Sequence, residues 1–222
     1  MSGEIMNGAL LGAELALPAW YGKLPGAGDF VGRRMQGALA RTWEEWLSHG
    51  MAAGRATLDA HAPLWSFAIP AGSGEGWVQL GCVAPSRDRV GRRYPLVVAQ
   101  PFAPQRYVRE NGQGARADRC IRLMGAIARD AIRGALGPED FDLALAQGLR
   151  DDAAPAGSDA RSDALRAEGG WPNLWEYFDP HGMTSFWWTD AGDGAPRTDV
   201  HTGGLDAALF QRLFGEPQGG LA

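Results

Sequence analysis

The sequence contains almost no cysteine, and this absence removes several classes of protein. Cys82 and Cys120 are the only thiols, and no Cys-x-x-Cys pair occurs. Disulfide-stabilised secreted domains and cysteine-rich zinc modules both need more thiols than this. We therefore expect both cysteines to be small core residues rather than disulfide partners.

Long apolar segments are also absent. No run approaches the roughly 20 residues that a membrane-spanning helix requires. The segment Met1–Pro18 lacks a basic start and contains Glu4 and Glu14, so it is a poor secretory signal. We expect an N-terminal arm over residues 1–19, a single domain over residues 20–222, a cytoplasmic location and no direct membrane insertion.

The chain has no overall excess of positive charge. Its net charge is -5 and its sequence pI is about 5.4, whereas a general nucleic-acid-binding domain usually has a high pI. We therefore predict no nucleic-acid partner. With 222 residues, of which 45% are hydrophobic, the chain is long enough to bury one sizeable core.

Recognisable catalytic and metal-binding motifs are absent as well. No two histidines have the close helical spacing of a metal site, and no Gly-x-Ser-x-Gly motif occurs. Ser86 lies in a loop and has two interpretations, a nucleophile served by a distant histidine or a hydroxyl that caps its own loop. We expect the second, and we predict no enzymatic activity, no metal and no cofactor.

Three apolar segments predict a sheet that is covered on both faces. Leu64–Ile69, Trp77–Ala84 and Leu96–Ala99 have strand composition, and the last two lack polar alternation. Their short connections favour an antiparallel meander. Two further short strands are predicted at Trp20–Leu24 and Met183–Thr189, the second being the last strand expected in the chain.

Apolar residues at intervals of three and four predict the helices. The first stripe runs from Met35 to Met51, the second from Ile121 to Ala135, and a third from Phe141 to Leu149. Leu205–Phe214 predicts a short closing helix. The segments 151–170 and 191–204 have loop composition.

Two polar loops are the candidate functional segments. The arginine loop, Pro85–Pro95, contains four arginines and one acid, Asp88. One interpretation is a solvated loop in which Asp88 pairs with a neighbouring arginine. The other is a recognition loop for an anionic or protein partner, because binding groups concentrate on loops held by rigid strands.

The second segment, the glycine loop, is Lys23–Phe30. Together with Gly32 it looks like a phosphate-binding loop before a helix, but its glycine spacing differs and Lys23 precedes the glycines. The alternative is a tight turn in which Asp29 caps the following helix or accepts from its own backbone amides.

Five sequence blocks and their order along the chain resemble the TagF family, also called ImpM, of type VI secretion accessory proteins. The similarity extends from Trp20 to Phe214. One departure is Arg87, which occupies a position where the family commonly has a small apolar residue. The blocks are WYGKLPGAGDFV (20–31), WEEWL (43–47), PLWSF (63–67), PSRDRVGR (85–92) with YPL (94–96), and SFWWT (185–189).

The resemblance implies an α/β fold, a three-layer α/β/α sandwich with a mixed, largely antiparallel central sheet. It also implies a non-enzymatic, post-translational repressor that contacts a cytoplasmic secretion component such as the forkhead-associated scaffold. A phosphate- or nucleotide-sensing domain is the alternative. The candidate contact residues are Lys23, Asp29, Arg87, Asp88, Arg89, Arg92 and Arg93.

Overall fold

The computed structural model describes residues 17–35, 37–53, 58, 62–107, 113–153, 171, 173–190 and 195–215. These residues form seven strands and five α-helices, with a short 3-10 helix at Pro104–Arg106. The strands are β1 (Ala19–Gly22), β2 (Val31–Arg33), β3 (Trp65–Ile69), β4 (Val78–Ala84), β5 (Leu96–Phe102), β6 (Thr184–Thr189) and β7 (Thr198–Thr202). The helices are α1 (Gly37–Ala52), α2 (Gln113–Arg133), α3 (Pro138–Ala153), α4 (Leu174–Tyr177) and α5 (Ala207–Phe214).

All seven strands belong to one sheet, in the order β2-β1-β5-β4-β3-β6-β7. Every pairing between them is antiparallel, and one isolated bridge between Trp20 and Arg34 is parallel. The centre is the predicted meander β3-β4-β5. The hairpins β1-β2 and β6-β7 extend the sheet at its two edges.

Helices cover both faces of the sheet. Successive residues of a strand point to opposite faces, so Cys82 packs with the side chains of α2 and α3 while Val83 packs with those of α1 and α5. This confirms the predicted buried strands and the three-layer α/β/α architecture. Cys82 and Cys120 are buried free thiols, and burial raises the pKa of each to about 12.

The two faces differ in chemistry. The α1/α5 face is rich in aromatic rings, among them Trp43, Trp46 and Trp187. The Trp43 Nε1 donates to Gln79 Oε1 at 2.8 Å, and the Trp46 Nε1 donates to the Asp206 carbonyl at 2.7 Å. Each indole therefore buries its ring and still satisfies its N–H, as buried tryptophans require. The predicted stripe on α1 is confirmed.

Two strands were not predicted. Residues 191–204 were expected to be a loop, but Thr198–Thr202 forms β7 and pairs with β6. It is an edge strand with mostly exposed side chains, so it lacks the apolar composition by which strands are recognised. The three-residue β2 directly follows the glycine loop and was also missed.

Other boundaries differ slightly from the sequence predictions. Ala19, which was placed in the N-terminal arm, belongs to β1, and residues 151–153 extend α3. The remainder of the predicted loop 151–170 and residues 1–16 of the arm lie outside the described residues. In the described part of the chain, no helix combines the length and apolarity needed to cross a membrane.

Candidate functional site

The arginine loop and the glycine loop lie side by side at one end of the sheet. β1 ends at Gly22 beside the start of β5, where the arginine loop also ends. Gly22 has a φ of 140°, and a Cβ there would lie only 2.1 Å from the Pro95 carbonyl oxygen. A glycine is therefore needed for this close approach, which places Lys23 against the arginine loop.

Asp88 is the central residue of the contact between the two loops. Its Oδ2 accepts from Lys23 Nζ at 2.8 Å and from Arg92 Nε at 2.7 Å. Its Oδ1 accepts from the backbone N–H groups of Val90 at 3.1 Å and Arg92 at 2.9 Å. Asp88 is 1% exposed and Lys23 is 5% exposed. The buried carboxylate thus has four donors, two of them on cations.

This environment controls the ionisation of Asp88. Burial by itself raises the pKa of the carboxyl group, but the hydrogen bonds from Lys23 and Arg92 outweigh burial. They hold the pKa of Asp88 well below its ordinary value of 3.8. The carboxylate is therefore charged at neutral pH, as its two cationic partners require.

Main-chain contacts join the loops further. The Arg89 N–H donates to the Ala27 carbonyl at 2.8 Å, and Arg92 Nη2 donates to the Gly28 carbonyl at 2.8 Å. The Ser86 hydroxyl donates to the Lys23 carbonyl at 2.7 Å. These bonds make the two loops one structural unit. The prediction that the Ser86 hydroxyl caps its own loop is therefore corrected, since its acceptor belongs to the glycine loop.

The arginine loop itself is a small hairpin. The Tyr94 N–H donates to the Ser86 carbonyl, and the Asp88 N–H donates to the Arg92 carbonyl, each at 3.0 Å. Its tip closes through the Gly91 N–H, which donates to the Asp88 carbonyl at 3.0 Å. Gly91 has a φ of 89°, a conformation that glycine adopts without strain.

An aromatic cluster supports the glycine loop. The Phe30 ring stacks on Tyr21 with centroids 5.8 Å apart and meets Tyr94 edge-on at 4.7 Å. The Lys23 ammonium lies 4.9 Å from the Phe30 centroid. Burial, with a smaller contribution from nearby Tyr94, raises the pKa of Tyr21. Phe30 is held on several sides and is still 45% exposed.

The seven predicted contact residues fall into three sets. Lys23 and Asp88 are buried, so they hold the loops together, and the expectation that they contact a partner is corrected. Arg92 is exposed but bonded to Asp88. The other four are fully on the surface, namely Asp29, Arg87, Arg89 and Arg93. The interpretation in which Asp88 pairs with a neighbouring arginine is confirmed, although the carboxylate is buried rather than solvated.

The phosphate-loop interpretation receives no support from this geometry. The glycine loop leads into β2 rather than into a helix, and α1 begins only at Gly37. Lys23 is already bonded to Asp88. Asp29 Oδ1 accepts from the Phe30 N–H at 2.8 Å, which is one of the two alternatives considered for a tight turn.

Sequence reasoning did not single out Phe30, Val90 or Tyr94 as residues of the site. Val90, at the tip of the hairpin, is 68% exposed. A valine at the centre of a charged segment and a phenylalanine beside a glycine turn were available signals, since exposed apolar residues in ordered loops often mark contact sites.

The structure defines a three-layer α/β/α domain with a rigid, basic and aromatic surface at one end of its sheet. The chain belongs to the TagF N-terminal domain family, type VI secretion system-associated, whose model matches residues 19–147. It is therefore a type VI secretion-associated protein. The matched segment ends within α3, while β6 and β7 belong to the same sheet.

A solved structure has a similar fold. The crystal structure of PA0076 from Pseudomonas aeruginosa PAO1 is similar, with a TM-score of 0.63 and 30% sequence identity. The similarity covers 90% of this chain and 96% of PA0076. Comparison with curated proteins gives no match.

Proposed function

We propose that this chain is a non-enzymatic, post-translational repressor of a type VI secretion system. It acts in the cytoplasm by binding a component of the system such as the forkhead-associated scaffold. The contact surface consists of the exposed parts of the arginine loop and the glycine loop. Membership of the TagF N-terminal domain family supports the secretion-system context.

The observation that carries the proposal is the network in which the buried Asp88 bonds to the buried Lys23 and to the exposed Arg92. Burying charges is costly unless they are paired and hydrogen-bonded. Here the network fixes a surface loop at the end of a rigid sheet, with its remaining arginines exposed. Such pre-organisation lowers the ordering cost of binding. It suits a surface that docks on another protein.

A non-catalytic role is consistent with the state of Ser86. Its buried hydroxyl donates to a backbone carbonyl, so its proton already has an acceptor in this structure. A Ser86→Ala variant is therefore expected to repress secretion as well as the wild type does. Loss of repression in a folded Ser86→Ala variant would support a nucleophilic role instead.

Titration calorimetry tests the binding partner. The purified chain is titrated against the forkhead-associated scaffold of the same secretion system, with circular dichroism confirming that both proteins are folded. We expect a dissociation constant of about 1 μM or tighter, which corresponds to roughly -8 kcal/mol. Absence of binding between the folded proteins would contradict this mechanism and direct the search to other components.

A secretion assay tests repression separately. Release of a type VI substrate is compared in cells with and without the chain, at equal levels of the secretion components. We expect greater release without the chain, because a repressor that acts after translation changes activity and leaves component abundance unchanged. Equal release in the two strains would contradict the repressor role.

A further inference from the structure

Arg87 and Arg93 face each other with no compensating charge. They are directly opposite in an isolated antiparallel bridge of the arginine loop, and both are exposed. Side chains at such positions have Cβ atoms about 5 Å apart, and like charges there repel. Neither arginine, nor Arg89, forms an ion pair with any residue that the structure describes. An anion between them would relieve the repulsion.

The local charge is opposite to that of the whole chain. In the two loops, four arginines and Lys23 outnumber Asp29 and Asp88 by three, whereas the chain has a net charge of -5. Because Lys23 and Arg92 both bond to Asp88, the outward positive charge comes from Arg87, Arg89 and Arg93. A concentrated positive region on an acidic protein steers acidic partners to that region.

One apolar side chain lies among the exposed arginines. Val90, at the tip of the arginine loop, is 68% exposed, whereas Phe30 packs on Tyr94, whose side chain lies on the side of the hairpin opposite to Arg87 and Arg93. The Arg89 guanidinium lies close to Gly28, 3.3 Å from where a Cβ would be, so it adjoins the glycine loop. Aromatic and arginine side chains are the usual anchors of protein interfaces.

From these observations we infer that the surface binds an acidic peptide segment that also carries an apolar side chain. Carboxylates of the segment bind Arg87, Arg93 and Arg89, and its apolar side chain packs on Val90. This inference deepens the proposed function and rests on it for the identity of the partner. It assigns the chemistry of the partner surface, a short stretch of Asp or Glu residues next to an apolar residue.

An acidic peptide fits this surface better than other anions do. Free phosphate would leave the exposed Val90 side chain without a partner. Recognition of anionic membranes by a basic cluster usually involves four to eight lysines or arginines, and only three here are uncompensated. The net charge of -5 also opposes approach to an anionic membrane.

The test uses fluorescence anisotropy with synthetic probes. A panel of labelled short peptides varies the spacing between Asp or Glu residues and one Leu or Phe. Matched peptides replace the acids with Asn or Gln. Inorganic phosphate and phosphatidylglycerol vesicles are tested beside them. The variants are the double substitution Arg87→Ala/Arg93→Ala and the single substitution Val90→Ser. The control is Arg150→Ala, an exposed arginine on α3.

We expect acidic peptides to bind and the Asn/Gln peptides not to bind. The double arginine variant should weaken acidic-peptide binding about tenfold or more, since charge-assisted arginine–carboxylate bonds are strong, and Val90→Ser should weaken it by a smaller factor. Arg150→Ala should have no effect. Circular dichroism melting confirms that each variant is folded.

Four outcomes would overturn the inference. The first is that no acidic peptide binds, and the second is that the Asn/Gln peptides bind as tightly as the acidic ones. The third is that Arg150→Ala weakens peptide binding as much as the double arginine variant does. The fourth is that the chain binds only vesicles or phosphate and no peptide. The proposed function fails independently, when the wild-type chain does not bind the scaffold in calorimetry. If the scaffold binds equally well to the double arginine variant, the proposed function stands and the inference fails.

Discussion

The charges of the arginine loop divide into an inner group and an outer group with opposite environments. Asp88, with Lys23 and Arg92 bonded to it, forms the inner group. Arg87, Arg89 and Arg93 form the outer group and have no ion pair among the described residues. Residue type alone therefore does not determine the role of a side chain, since Arg92 and Arg93 are neighbours of identical chemistry.

The division follows from the backbone. In an extended hairpin, successive side chains point to opposite sides, so Arg92 reaches Asp88 and the Gly28 carbonyl while Arg93 lies opposite Arg87. Inner charges act on stability, because removing Asp88 leaves the buried Lys23 without its partner and removing Lys23 leaves the buried Asp88 with a single cation. Outer charges act on binding, because their partner lies in another molecule.

Replacement of Asp88 should have the largest effect on stability. Asp88→Ala leaves Lys23 buried without its partner and removes the Oδ1 that accepts from two backbone N–H groups of the hairpin. We expect the melting temperature to fall by about 10 °C, the size of change typical of a broken buried ion pair in a domain of this length. A circular dichroism melt measures it. A shift no larger than that of Arg93→Ala would erase the distinction between the groups.

Lowering the pH should weaken the same network without a mutation. The folded-state pKa of Asp88 is held below its ordinary value of 3.8, so the unfolded state binds its proton first as the pH falls. The contribution of Asp88 is therefore fully present at neutral pH, decreases below about pH 4, and is lost once the pH passes the folded-state pKa.

Urea denaturation at a series of pH values measures this dependence, with Asp88→Ala as the control. The variant lacks the group, so its stability should fall less steeply than that of the wild type below about pH 4. Parallel curves for the two proteins would show that other carboxyl groups cause the acid sensitivity.

Replacement of Lys23 should have an intermediate effect. Lys23→Met keeps the aliphatic part of the side chain and removes the ammonium, while Asp88 retains Arg92 and two backbone donors. We expect unfolding in urea to show a loss of about 3 kcal/mol, at the lower end for a broken buried pair. Arg150→Met serves as an exposed control. A loss no greater than that of the control would place Lys23 outside the inner group.

Replacement of an outer arginine should change stability least. Arg93→Ala removes no described ion pair and relieves repulsion with Arg87, so we expect a change within about 0.5 kcal/mol, in the direction of higher stability. Urea denaturation at low and high salt measures it, since salt screens the repulsion. A destabilisation comparable with that of Lys23→Met would place Arg93 in the inner group.

Much of the fold was predictable because its elements have strong local patterns. The stripe on α1 and the apolar strands β4 and β5 bury most of the residues that the sequence indicated. Trp77, which was predicted to begin the second strand, instead precedes β4 and is 46% exposed. The edge strand β7 was not predictable, because a strand that covers little core needs few apolar residues. At the site, the sequence identified both loops and the pairing of Asp88 with an arginine, but it could not identify Lys23 as the second cation.

The sequence by itself determined the layered α/β architecture and the two polar loops, because periodicity and turn residues act over short distances along the chain. Only the tertiary structure decided that Lys23 bonds to Asp88, 65 positions away, and that Phe30 packs against Tyr94. The physical reason is the sheet order, which places β1 beside β5. Pairing between distant strands therefore joins two loops whose local sequences contain no information about each other.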